Sequence, residues 1–146
     1  MRDPHDLLLA DHQALRKQAG ALKDAIDRAP QKLAESLATF QKAVQQHFKR
    51  EEPYYRILDD GKRVKDRGLV HQLRNDHAAV IFTLESLVIR LRKNGINPDW
   101  RTRFDNLMNV FLPHLDQEDK QLFPIGRETL SSPERDAILQ HIQSGE

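Results

Sequence analysis

The sequence predicts an all-α protein: an up-down-up-down four-helix bundle with a short C-terminal helix. Three observations carry that expectation. Strand-like alternation is absent, and glycine occurs only six times in 146 residues. Apolar residues instead recur at alternating steps of three and four along four long segments, the spacing of side chains that face a bundle core. The connections between segments are short, which makes consecutive helices antiparallel neighbours. A chain of this length suits one domain, residues 1–146, large enough to bury a core.

Each element has its own signals. The first helix is expected over about residues 4–29, from the N-cap and helix-starting proline of Asp3-Pro4 to the stop at Pro30. Its stripe reads Leu8, His12, Leu15, Ala19, Leu22, Ile26. The second spans about 31–58, with Pro53 a kink or a break into a looser last turn. Its stripe reads Leu33, Leu37, Phe40, Val44, His47, Glu51, Tyr54, Leu58. "DDGKRVKDRG", residues 59–68, reads as the one clear loop. The third helix, about 69–93, ends before Gly95 and carries Val70, His77, Ile81, Leu84, Val88, Leu91. The fourth, about 98–122 and bent at Pro113, carries Trp100, Phe104, Leu107, Phe111, His114, Glu118, Leu122, and then Ile125. Ser131 and Glu134 are spaced as a capping box for a terminal helix over about 133–143.

Composition removes several function classes. Basic and acidic residues nearly balance, 23 against 22, and no patch of one sign stands out, so neither nucleic acid nor a membrane surface is implied as a partner. The absence of cysteine excludes disulfides, thiolate metal sites, thiol catalysis and iron–sulfur ligation. Charges interrupt the N-terminal stretch where a secretion signal needs an apolar core, and no apolar run reaches membrane length. A cytoplasmic protein is the expectation. Seven histidines are the compositional excess.

Those histidines fall on the core stripes. Each stripe contains one, and the second and fourth add a glutamate four residues later. The pattern is duplicated: His12 and His77, His47 and His114, and Glu51 and Glu118 are separated by 65, 67 and 67 residues. Helix rise brings them level. At about 1.5 Å per residue, His12 lies roughly 27 Å before the first connection and His47 roughly 25 Å after it. The second hairpin repeats this spacing. Residues four apart stack on one face, so Glu51 and Glu118 sit one turn beyond, still pointing inward. Two buried carboxylates without partners would each cost several kcal/mol or stay protonated. No Lys or Arg lies on the seams to pair with them. Metal cations answer both the carboxylates and the imidazoles. Four imidazoles and two carboxylates without sulfur suit iron, manganese or zinc, and the economical arrangement is two ions, each with two histidines, linked by Glu51 and Glu118.

"ADHQALR", "HFKREE", "NDHAAV" and "HLDQEDKQLFP" together resemble the hemerythrin-like, or HHE cation-binding, family, over nearly the whole chain. The resemblance implies a di-iron centre, oxo- or hydroxo-bridged, with His12, His47, Glu51, His77, His114 and Glu118 as ligands and the glutamates bridging. Oxygen carriers of that family have a further histidine where this chain has Leu73, and an aspartate five residues after the last-helix histidine, the place of Asp119. The seam and the internal repeat favour Glu118 over Asp119. The six-ligand pattern is similar to bacterial hemerythrin-like proteins linked to iron sensing, peroxide removal, or nitric oxide defence and iron-centre repair. The implied small molecules are dioxygen, peroxide and nitric oxide. An enzyme consuming peroxide or nitric oxide, a sensing or storage module without turnover, and a zinc-bound structural bundle all stay open, and no redox partner is legible. Tyr54, one turn past Glu51, is a packed core residue, a donor behind the ligands, or a phenolate ligand. His5 and His141 are expected at the surface. Asp11 and Asp76 are expected in solvent, with a hydrogen bond to a ligand imidazole as the functional alternative. Lys49, Arg50, Arg90 and Arg92 are expected on solvated faces, and Glu52 off the seam.

Overall fold

Side-chain caps and prolines set where the helices of this computed structural model begin, and residues 3–60 and 67–145 are described. In α1 (Pro4–Arg28) the Asp3 carboxylate accepts from the His5 amide at 2.9 Å, and Pro4 fills the first turn where no amide partner is needed. A 3-10 turn, Pro30–Lys32, precedes α2 (Leu33–Leu58), so the second α-helix begins two residues later than expected. The tighter winding serves as the connector between antiparallel helices. Pro53 lies inside α2 without ending it. The expected loop falls partly outside the described residues, at 61–66; α3 (Arg67–Asn94) already includes its last two positions. Gly95 stops α3 with φ +67, a conformation that favours glycine, and its N–H donates a hydrogen bond to the Leu91 carbonyl. Asn97 then caps α4 (Pro98–Gln117) by accepting from the Trp100 amide at 2.8 Å.

The fourth segment does not stop at Leu122. It continues through a π turn, Glu118–Leu122, into α5 (Phe123–Thr129), and then to α6 (Ser132–Ser144) with the expected Ser131–Glu134 capping box. A π turn inserts one extra residue, about 100° of rotation, so the face downstream is reset. Ile125, expected in the core, is therefore only half-buried, while Phe123 and Gly126 are buried.

Each long helix packs on the next, α4 closes back on α1, and α6 lies against α1 and α2. The stripes of α1 and α2 are buried as expected. That of α3 is shifted: Leu73, Val80 and Leu87 are buried, whereas Ile81, Val88 and Leu91 pack at the core's edge. Apolar residues adjoin in pairs there (Val80-Ile81, Leu87-Val88), and only the neighbouring helices decide which of each pair is central. Among the described residues two apolar cores result. One holds Leu15, Val44, Val80, Phe111 and the residues beyond them; the other holds Leu8, Tyr54, Leu73 and Leu122 with α6 residues Ile138 and Ile142. The histidines and glutamates form the polar layer between them.

Candidate metal centre

Four helices deliver six ionisable side chains to that layer, and all six are buried: His12, His47, Glu51, His77, His114 and Glu118. Their inward atoms form two groups. His12, His47, Glu51 and Glu118 make one; Glu51, His77, His114 and Glu118 make the other, each within a span that could hold a metal ion. Glu51 is divided between them: Oε2 lies 3.3 Å from His12 Nε2 and 3.1 Å from His47 Nε2, and Oε1 lies 3.3 Å from His77 Nε2. Glu118 Oε1 stands 3.1 Å from His12 Nε2 and 3.2 Å from His114 Nε2. The π turn begins at Glu118. Such turns are frequent at functional sites.

Behind the histidines stand carboxylates. Nδ1 of His12 is 2.6 Å from Asp119, Nδ1 of His47 is 2.9 Å from Asp11, and Nδ1 of His114 is 3.1 Å from Asp76. An ionised carboxylate only accepts, so each Nδ1 carries the hydrogen and each Nε2 faces the centre. Arg16 holds Asp119 at 2.6 Å and Arg50 holds Asp11 at 2.9 Å. Asp11 and Asp76, expected in solvent, thus orient imidazoles, and Arg50 is half-buried against Asp11 rather than solvated. Asp119 sits behind His12 while Glu118 faces inward. Glu52 pairs with Arg74 outside the centre.

The electrostatics follow from this wiring. Burial opposes protonation of His12, but hydrogen bonds to Asp119, Glu118 and Glu51 outweigh it and carry the imidazole up to about 12. Burial likewise opposes the raised values of His47, at about 9 through Glu51 and Asp11, and His77, at about 9 through Glu118 and Glu51. His114 is raised against burial by Glu118. For Glu51 and Glu118, burial and mutual repulsion are overcome by the surrounding imidazoles, and both are held below the usual carboxylate range. Without cations, protons on the imidazoles offset the two buried carboxylates.

The tyrosines part ways. Tyr54 points its hydroxyl to His5, where O–H donates to Nε2 at 2.8 Å, while His5 Nδ1 donates to Asp3 at 2.7 Å. His5, expected at the surface, is fully buried because α5 extends past Leu122 and places Phe123 and Gly126 over it. Tyr55, unremarked in the sequence, donates to Glu118 Oε2 at 2.5 Å and sets its ring edge-on to His77. Lying one residue off the stripe, Tyr55 had no periodic signal. His141 is exposed as expected and reaches the Lys49 carbonyl.

Fold and site together define an all-α bundle with buried histidine and glutamate groups able to hold metal ions. A family model described as the hemerythrin HHE cation-binding domain matches residues 3–125, and the chain belongs to that family. Comparison with curated proteins and with solved structures returned no significant match.

Proposed function

We propose that this is a non-haem di-iron protein whose centre binds or reacts with dioxygen, peroxide or nitric oxide. One observation supports it most: at the junction of the two groups, Glu51 Oε1, Glu118 Oε1, His77 Nε2 and His114 Nε2 are buried, within ion-pair distance of one another but without a well-aligned hydrogen bond. Such atoms are costly unless satisfied, and two cations satisfy them together. His12 and His47 would hold one ion, His77 and His114 the other, with Glu51 and Glu118 spanning both. Nitrogen and oxygen donors without sulfur suit iron, with manganese and zinc as alternatives. Bound there, iron would supply redox electrons and open positions for a small molecule. The chain's own groups do the rest. Asp119, Asp11 and Asp76 keep three imidazoles in the tautomer that offers Nε2 inward, and the two apolar cores limit water. Tyr55 holds one Glu118 oxygen by its hydroxyl hydrogen.

The test is metal analysis followed by anaerobic reduction and titration with dioxygen, peroxide and nitric oxide, watched by visible absorption. Two irons per chain and a spectrum that responds to at least one of these are expected. An adduct reversed under vacuum marks a binding or sensing module, and repeated turnover marks an enzyme. Protein that takes up zinc but no iron, or iron-loaded protein inert to all three, refutes the proposal.

A further inference from the structure

The two halves of the centre are not built alike. On the His12–His47 side both imidazoles are braced from behind, by Asp119 with Arg16 and by Asp11 with Arg50. On the other side only His114 is braced, by Asp76. Among the described residues, no carboxylate reaches His77 Nδ1. Its ring is positioned by packing instead, stacked on Phe48 at 3.9 Å and 10°. One turn earlier on α3 the buried side chain is Leu73, which offers no donor. The Glu118 oxygen on the His77 side, Oε2, is 3.7 Å from His77 Nε2 and already accepts from Tyr55.

Exposure runs the same way. His77 is 7% exposed, against 0–2% for the other five inward-facing residues. It borders an open cleft of about 510 Å³ with Phe48, Gln45 and Lys49. The cleft beside His47 is smaller, about 200 Å³, and is lined by the paired Asp11 and Arg50.

We propose that the two metal positions are unequal: the His12–His47 position fills first and retains its ion, while the His77–His114 position is the weaker, exchangeable one, reached from solvent past His77 and Phe48. This rests on the di-metal reading above and adds an order and a direction to it. Loss of a partner behind a ligand imidazole lowers metal affinity about 10- to 100-fold, and the same gap is expected between the two positions.

Anaerobic titration of metal-free protein with Co(II), in competition with a chromophoric chelator, tests it. Two steps separated by about 10- to 100-fold are expected. His77→Ala should remove the weaker step and leave one tightly held ion; Asp11→Asn should weaken the first step and spare the second. NMR of the unsubstituted protein at one equivalent of Co(II) gives a check that needs no variant. The first strongly shifted Nδ1–H signals should belong to His12 and His47. Two ions bound with equal affinity, first shifts at His114, or His77→Ala abolishing the first step would overturn the inequality while leaving a dinuclear centre intact. Failure to bind Co(II) at all would overturn both.

Discussion

Among the described glycines, Gly126 is where a methyl group should do the most damage. A Cβ built there would lie 1.7 Å from the Tyr54 hydroxyl, 2.6 Å from the ring carbon bearing it, and 3.0 Å from His5 Nε2. Neither ring has room to withdraw, since both are 0% exposed and Tyr54 also packs edge-on against Phe123. Gly126→Ala must therefore push α5 outward or break the Tyr54–His5 hydrogen bond. Overpacking costs about 1–3 kcal/mol, and an orphaned buried polar group about 1–3 kcal/mol. The gain from replacing a helical glycine returns at most about 1 kcal/mol. With both costs incurred, the net expectation is a loss of about 1–5 kcal/mol. At about 2.1 cal/mol/K per residue, a chain of this length loses about 3 °C of Tm per kcal/mol, so the midpoint should fall about 3–15 °C. Gly20→Ala is the control: the site is exposed within α1, has nothing within 4 Å of its Cβ, and should gain about 0.5–1 kcal/mol. Adding Tyr54→Phe to Gly126→Ala removes the nearest atom but not the ring carbon, so recovery should be partial. Thermal unfolding by circular dichroism reads all four proteins. A Gly126→Ala protein as stable as the parent would refute the packing argument.

Three further outcomes are expected. Because Glu51 and Glu118 belong to both groups able to hold a metal ion, Glu51→Gln or Glu118→Gln should reduce metal content at both positions rather than one; retention of two ions by both variants would contradict the sharing. In metal-free protein His47 and His77 lie at about 9 against an ordinary 6.5, so their contribution to stability is complete below 6.5 and lost as pH rises through about 9. Metal must displace those protons, so metal affinity should rise with pH over the same interval and acid should release the ions; calorimetry in buffers of different ionisation enthalpy counts the protons, and none released would exclude these ligands. Tyr55→Phe removes a hydrogen bond to a buried carboxylate, which should cost the metal-free protein about 1.5–3 kcal/mol in denaturant unfolding.

Periodicity exposed the stripes, and the stripes exposed the six inward residues, because a charge every 65 to 67 residues at core positions has no apolar explanation. The groups behind them carry no such signal, and for Asp11 and Asp76 an imidazole contact was only the alternative to solvent. Asp11, Asp76, Asp119, Arg16 and Arg50 sit at ordinary surface positions of an amphipathic helix, and only the approach of a neighbouring helix turns a solvated carboxylate into the partner of an imidazole. His5 is buried because the π turn, a one-residue change in winding, brings Phe123 over it, whereas Tyr55 reaches Glu118 from a position one residue off the stripe.

Local chemistry along the chain was thus enough to indicate the four long helices and the faces that carry the six inward residues, since both follow from spacing, caps and breakers. Which histidines are braced, which one meets solvent, where the fourth segment changes winding, and which tyrosine touches a glutamate were decided only by tertiary packing. Those depend on distances between helices remote in sequence, and periodicity within one helix carries no information about them.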